Sequence, residues 1–184
     1  MNKYFVFIVL FSFARFASAQ SNPNSYELKI DFEPAFIKSS QVIIKKSGGS
    51  ASLDIKIFAS PKKDILKESN KLLKLQRLKT LEGFLQTYQF KIKNSIDTIG
   101  GEKEIVIGDS VMKFYDITLG VDGITVKGTL TKSEKVKQFA FWSPKEGTKN
   151  AELISILFAI LRRTFIEKDI ANYLEQLREY FPLK

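Results

Sequence analysis

Two alternating runs of apolar residues, joined by the sequence SGGS at residues 47–50, constrain the fold of this chain most strongly. In the run after the glycines, Leu53, Ile55 and Ile57 alternate with other residues, so they lie on one face of an extended strand. The run before the glycines, residues 41–46, is also rich in β-branched residues, and a polar connection with glycine between two such runs is typical of a β-hairpin. The pattern therefore predicts an antiparallel sheet with one buried face.

Further strand patterns predict a second group of strands. Residues 26–32, which precede the hairpin, alternate as in a strand. The second group follows later in the chain, where residues 103–107, 111–121, 124–131 and 135–142 are typical of an antiparallel meander. Asp122 and Gly123 form a pair favoured in two-residue turns, and a turn there would place Ile117 opposite Gly128. The aspartates of this stretch do not fit the oxygen-ligand spacing of a calcium loop. The sequence therefore favours a hairpin over a metal site.

Helical spacing predicts a long helical segment between the two groups of strands. Ser60 and Pro61 suit the first positions of a helix, and apolar residues from Ile65 onward recur at three- and four-residue spacing as far as Ile99. The phase of this stripe changes over residues 76–80. The change predicts a kink or a second helix there.

The C-terminal part of the chain is also expected to be helical. Residues 153–161 present one apolar face, and Thr164 with Glu167 fits a capping box ahead of a last helix that Pro182 ends. We therefore expect an α+β fold in which an antiparallel β-meander packs against a long N-terminal helical segment and C-terminal helices.

The N-terminus predicts export. Residues 1–19 combine a short positive start, an apolar run over residues 4–13 and small residues at Ala17 and Ala19, the pattern of a secretory signal peptide. The alternative is a membrane anchor, but the run is shorter than the roughly 20 apolar residues that span a bilayer. We expect residues 20–184 to form a single domain that is periplasmic or secreted, with no transmembrane span after cleavage.

Composition excludes several chemistries. The chain has neither cysteine nor histidine, so it has no disulfides, no zinc site built on those ligands and no Ser-His-Asp or Cys-His nucleophile. We expect no cofactor, no metal and no catalytic residue. The net charge is +9, of which Lys3 and Arg15 in the predicted leader contribute two. This basic balance favours an envelope protein, an anionic lipid or a glycan as partner, and export argues against nucleic acid.

Four lysines are the candidate contacts for an anionic surface. Within the predicted helical segment, Lys63, Lys67, Lys71 and Lys74 recur at helical spacing on the side opposite the apolar stripe. The alternative interpretation of this stripe is the solvated face of an amphipathic helix. The leading hypothesis is thus an exported, non-catalytic binding or interaction protein of the bacterial cell envelope.

Two other functions stay open at this point. One is a carrier for a small apolar molecule or lipid, suggested by the many Phe, Ile and Leu residues of the predicted sheet and helices. The other is a carboxylate-dependent hydrolase, which needs two acids in one cleft. Its candidate acids are Glu102, Glu104, Asp109 and Asp116.

Overall fold

The computed structural model describes residues 25–59, 64–92 and 123–182 in full, and the backbone of residues 102–107 and 110–115. The strands are β1 (Tyr26–Pro34), β2 (Ser40–Ser47), β3 (Ser50–Ala59), β4 (Asp64–Leu72), β5 (Glu102–Ile107), β6 (Ser110–Tyr115), β7 (Ile124–Lys132) and β8 (Lys135–Trp142). A 3₁₀ helix (Leu75–Leu78) leads into α1 (Lys79–Thr87), and α2 (Lys149–Thr164) and α3 (Lys168–Arg178) follow β8.

Six strands form one antiparallel sheet in the order β4-β3-β2-β1-β7-β8, and β5 pairs with β6 in a separate antiparallel sheet. The α+β class with an antiparallel sheet is therefore confirmed. The hairpin of β2 and β3 has the expected faces, because Val42 pairs with Ile55 and Ile44 pairs with Leu53, and all four side chains are buried.

The core lies between one face of the six-stranded sheet and the three helices. Leu28, Ile30 and Phe32 of β1 are fully buried, and Phe32 packs edge-on against Phe181 from the C-terminal end. Phe158 of α2 contacts the same Phe181 ring. The predicted apolar face of α2 is confirmed, since Leu153, Leu157, Ile160 and Leu161 are all buried.

The prediction of a long N-terminal helical segment is wrong. Asp64–Leu72 is strand β4, which hydrogen-bonds to β3 at the edge of the sheet, and α1 is the α-helix in the described part of that segment. Ile65 and Leu66, which suggested a helical stripe, are each half exposed on the edge strand. The proposed helix start at Ser60 and Pro61 lies outside the described residues. Pairing with β3 outweighs a weak local preference for helix.

The predicted pairing of β7 with β8 is confirmed, but its predicted pairing with residues 111–121 is wrong, because β1 takes that place. β7 lies between β1 and β8, and Gly128 pairs with Ile30 and Phe139 rather than with Ile117. Alternation determines which face of a strand is buried, but it does not determine which strand lies beside it. β1 has an apolar face equivalent to the one expected from residues 111–121, so either could pair with β7. Residues 116–122, including the expected turn residue Asp122, lie outside the described residues.

The expected capping box does not form. Thr164 is the last residue of α2, and its hydroxyl donates a hydrogen bond to the carbonyl of Ile160 at 2.8 Å. Glu167 is the N-cap residue of α3, but its carboxylate binds Lys71 of β4 instead. The ion pair of Glu167 with Lys71 thus takes the place of the capping hydrogen bond.

Candidate anion-binding cleft

One end of the six-stranded sheet carries a row of polar residues that crosses four strands. Tyr26 of β1 pairs with Lys46 of β2 on one side and with Lys132 of β7 on the other, and Lys132 pairs with Lys135 of β8. Directly paired residues of antiparallel strands project from the same face, and neighbouring strands are about 4.8 Å apart. The row, here called the lysine row, therefore spans about 14 Å between the backbones of Lys46 and Lys135.

The lysine row borders the core. Tyr26 precedes the buried Leu28 by two residues, so it lies on the same face of β1 as the core residues. Between this end of the sheet and α1 is a cleft of about 470 Å³, within the usual size range of ligand sites. We call it the Tyr26 cleft. Besides the row, it is lined by Glu82, Leu85, Gln86, Leu130, Ser133 and Lys137.

An ion pair and a buried hydroxyl meet in this cleft. Lys46 Nζ donates to Glu82 Oε1 at 2.6 Å, and the two side chains are 16% and 27% exposed. The Tyr26 hydroxyl is enclosed and has no hydrogen-bond partner among the described residues. Burial raises the pKa of Tyr26, and the charge of Glu82 acts in the same direction, although its contact with the hydroxyl does not reach hydrogen-bond geometry. Tyr26 is therefore a neutral donor at physiological pH.

The cleft has an excess of positive charge. Four lysines and one glutamate line it, and the glutamate is already paired with Lys46. Within the described part of the chain, Lys132 and Lys135 have no carboxylate partner. Lys137 lies over the Phe90 ring, with its Nζ 5.2 Å from the ring centroid. Three positive charges are thus left without a negative counterpart among the residues that line the cleft.

The turn that joins Lys132 to Lys135 is strained. Ser133 has a φ of 46° and Glu134 a φ of 67°. A two-residue hairpin turn with positive φ at both positions favours Asn-Gly, and other residues held there cost on the order of 1–3 kcal/mol each. The Ser133 side chain lines the Tyr26 cleft, so the strained turn is part of the candidate site.

The lysines predicted from sequence lie elsewhere in the structure. Lys67 and Lys71 lie on the helix-facing side of β4, where they form ion pairs with Asp169 and Glu167 at 3.0 and 2.5 Å. The contact with Lys71 lowers the pKa of Glu167, one of whose carboxylate oxygens is enclosed although the side chain is 35% exposed.

The other two lysines of the predicted stripe, Lys63 and Lys74, are not part of these described ion pairs with α3. Lys74 is exposed just before the 3₁₀ helix, and Lys63 lies outside the described residues. Binding of an anionic surface by these four lysines stays a prediction. The ion pairs of Lys67 and Lys71 make them weaker anion contacts than the unpaired lysines of the cleft.

Sequence reasoning missed the residues of the cleft. Lys46, Lys132 and Lys135 are ordinary lysines at strand ends when each strand is considered alone. They form one row only through the registers of three strand pairs. A local signal did exist, because KSEK at residues 132–135 is a short polar break between two strand patterns, as in a two-residue hairpin.

The side chains of the acids named for a hydrolase lie outside the described part of the structure. Glu102 and Glu104 lie on β5, whose side chains are outside the described residues, as are Asp109 and Asp116. In the part of the chain that the structure describes, no group of three or more His, Cys, Asp or Glu residues could hold a metal ion.

Two further findings concern membranes and relatives. Among the described helices, none is both long and apolar enough to cross a bilayer.

Compared with models of protein families, with curated proteins and with solved structures, the chain gives no significant match.

Proposed function

We propose that the chain is an exported, non-catalytic binding protein of the bacterial cell envelope that recognises an anionic ligand in the Tyr26 cleft. The observation that carries the proposal is the lysine row, in which the unpaired Lys132 and Lys135 lie on one side of Tyr26, whose enclosed hydroxyl has no hydrogen-bond partner among the described residues. Export rests on the leader pattern of residues 1–19.

Binding of an anion would relieve two unfavourable features of the free protein. A buried polar group without a partner costs about 1–3 kcal/mol, and like charges directly opposite on paired strands repel each other. An anion accepts from the Tyr26 hydroxyl and offsets the charges of Lys132 and Lys135. The ion pair of Glu82 with Lys46 also supports a binding role, because among the described lining residues it occupies the one carboxylate that could act as a general base.

Calorimetric titration with inorganic pyrophosphate, sulfate and citrate at low ionic strength tests the anion site. The Lys132→Gln/Lys135→Gln double variant removes two charges from the row. The Lys145→Gln/Lys168→Gln double variant removes two exposed charges outside the cleft and is the matched control.

We expect the wild type and the control to bind at least one anion with similar affinity. The cleft variant is expected to bind it at least tenfold more weakly, since a hydrogen bond to a charged group contributes about 1.5–3 kcal/mol. Equal losses in both double variants would show attraction to net charge alone and would contradict the proposal. So would a wild type that binds none of the three anions.

Export has a separate test. The full chain is expressed in a bacterium, and the N-terminus of the protein recovered from the periplasm or medium is sequenced. The leader pattern predicts that the mature protein begins at Gln20. Recovery of the intact chain from the cytoplasm alone would overturn this part of the proposal.

A further inference from the structure

The donors of the Tyr26 cleft exceed what a carboxylate accepts. Its lining includes Tyr26 and Ser133, which carry hydroxyls, and Lys132, Lys135 and Lys137, which have no carboxylate partner among the described residues. A carboxylate offers two coplanar oxygens, for which the planar fork of arginine is the better match. The lining residues that the structure describes include lysines and no arginine.

A phosphate monoester fits this set of donors better. It carries about −1.5 to −2 charges at neutral pH and three acceptor oxygens. Lysine is a common phosphate ligand that acts as a point charge, so its position tolerates oxygens that are not coplanar. Three uncompensated positive charges match a dianion more closely than a monoanion.

Part of the cleft lining is apolar. Leu85 of α1 and Leu130 of β7 contribute to it, and Leu130 precedes Lys132 on the same face of its strand. Four oxygens at about 30 Å³ each fill on the order of 120 Å³, which is a minor part of the 470 Å³ cleft. The space beside the charged row therefore suits an apolar group attached to the anion.

We infer that the ligand of the Tyr26 cleft is a phosphate monoester attached to an apolar group, an inference that rests on the anion site proposed above. The phosphate contacts Tyr26, Lys132 and Lys135, and the apolar part packs against Leu85 and Leu130. Phosphatidic acid, a lipid whose phosphate is a monoester, and a soluble phosphorylated molecule with an apolar group both present this chemistry.

Four probes separate the parts of this inference. Hexyl phosphate has both a phosphate monoester and an apolar chain, inorganic phosphate lacks the chain, and hexanoate has the chain with a carboxylate. Dihexanoyl phosphatidic acid presents the same phosphate on a lipid. Each is titrated calorimetrically into the full exported protein, below its critical micelle concentration.

Three variants report on the individual contacts. Tyr26→Phe removes the hydroxyl and keeps the ring, and Leu85→Gln removes an apolar contact from the half-buried surface of α1. Leu72→Gln is the control for Leu85→Gln, because Leu72 is 84% exposed on β4, away from the cleft. Urea denaturation of each variant separates a loss of binding from a loss of folding.

We expect hexyl phosphate to bind at least tenfold more tightly than hexanoate and than inorganic phosphate. Tyr26→Phe should weaken hexyl phosphate binding about tenfold without lowering stability, since it removes a buried donor that has no hydrogen-bond partner among the described residues. Leu85→Gln should weaken hexyl phosphate but not inorganic phosphate, and Leu72→Gln should change neither.

The titrations also distinguish a lipid ligand from a soluble one, and a failure of the phosphate inference from a failure of the anion site. Tighter binding of phosphatidic acid than of hexyl phosphate supports a lipid ligand, and equal binding supports a soluble phosphorylated one. Equal affinities for hexanoate and hexyl phosphate, both reduced by Lys132→Gln/Lys135→Gln, would overturn the phosphate inference and leave the anion site intact. If Lys132→Gln/Lys135→Gln left the affinities for all four probes unchanged, both the inference and the proposed function would fail.

Discussion

Lys132 and Lys135 lie directly opposite each other across a two-residue turn, with like charges on paired strands. Both side chains line the Tyr26 cleft, and within the described part of the chain neither has a carboxylate partner. A pair of this kind is unfavourable in the free protein. An anion bound between the two lysines would offset this repulsion. The unfavourable pair therefore supports the proposal that both lysines bind one anion.

Replacing one lysine of the pair by glutamate should stabilise the free protein. Lys135→Glu converts a repulsive cross-strand pair into an attractive one, which contributes about 0.2–1 kcal/mol. Urea denaturation at low and high salt measures the gain, which should shrink with salt because exposed charges are screened. Lys145→Glu lowers the net charge equally at an exposed position outside the cleft, so an equal gain there would argue against the pair as the cause.

The turn between the same lysines gives a second prediction. Ser133→Asn/Glu134→Gly introduces the residues that positive φ at both positions favours. We expect the free energy of unfolding to rise by about 1 kcal/mol or more, since each of the present residues costs on the order of 1–3 kcal/mol there. Ser133→Asn alone should give a smaller gain. An unchanged or lower stability of the double variant would show that the turn is not strained.

Alternation in the sequence correctly identified most strands of the large sheet and the buried face of α2. It succeeded for β1, β2, β3, β7 and β8 because these strands bury alternate residues against the helices along much of their length. It failed for β4, where most side chains are exposed on the sheet edge. A spacing of four residues, as between Lys67 and Lys71, also places side chains on one face of a helix and of a strand alike.

The pairing of β7 with β1 and the residues of the cleft were beyond a single-sequence prediction. Gly128 suits a close partner, but the sequence does not say whether that partner is Ile117 or the Phe139 that the structure shows. The row of Lys46, Tyr26 and Lys132 arises only when β2 and β7 both pair with β1 in one register. Such a site depends on long-range pairing, which local periodicity does not encode.

Two glycines should respond to alanine in opposite directions. A Cβ at Gly128 would overlap the ring of Phe139, a buried core residue, so Gly128→Ala should lower the free energy of unfolding by about 1–3 kcal/mol. Gly83 of α1 is exposed with open space around it, and Gly83→Ala should raise stability by about 0.5–1 kcal/mol. Urea denaturation of both variants is the measurement, and effects of the same sign would contradict this account of the β7–β8 packing.

Tyr173 should make the protein sensitive to alkali. Its side chain is 6% exposed, its hydroxyl donates to the carbonyl of Lys38 at 2.9 Å, and burial raises its pKa to about 12 from the usual value of about 10. The folded state therefore favours the neutral phenol. This contribution to stability is fully present below pH 10 and is lost as the pH rises from about 10 to about 12.

Tyr173→Phe isolates this effect. At pH 8 the variant should be less stable by about 1 kcal/mol, because it lacks the hydrogen bond to the Lys38 carbonyl. Between pH 10 and 12 it should lose less stability than the wild type, so the two curves of unfolding free energy against pH should converge. All other titratable groups are the same in both proteins, and the difference between the curves therefore reports Tyr173 alone. Parallel curves over that range would show that the Tyr173 phenol ionises in the folded state as readily as in the unfolded chain.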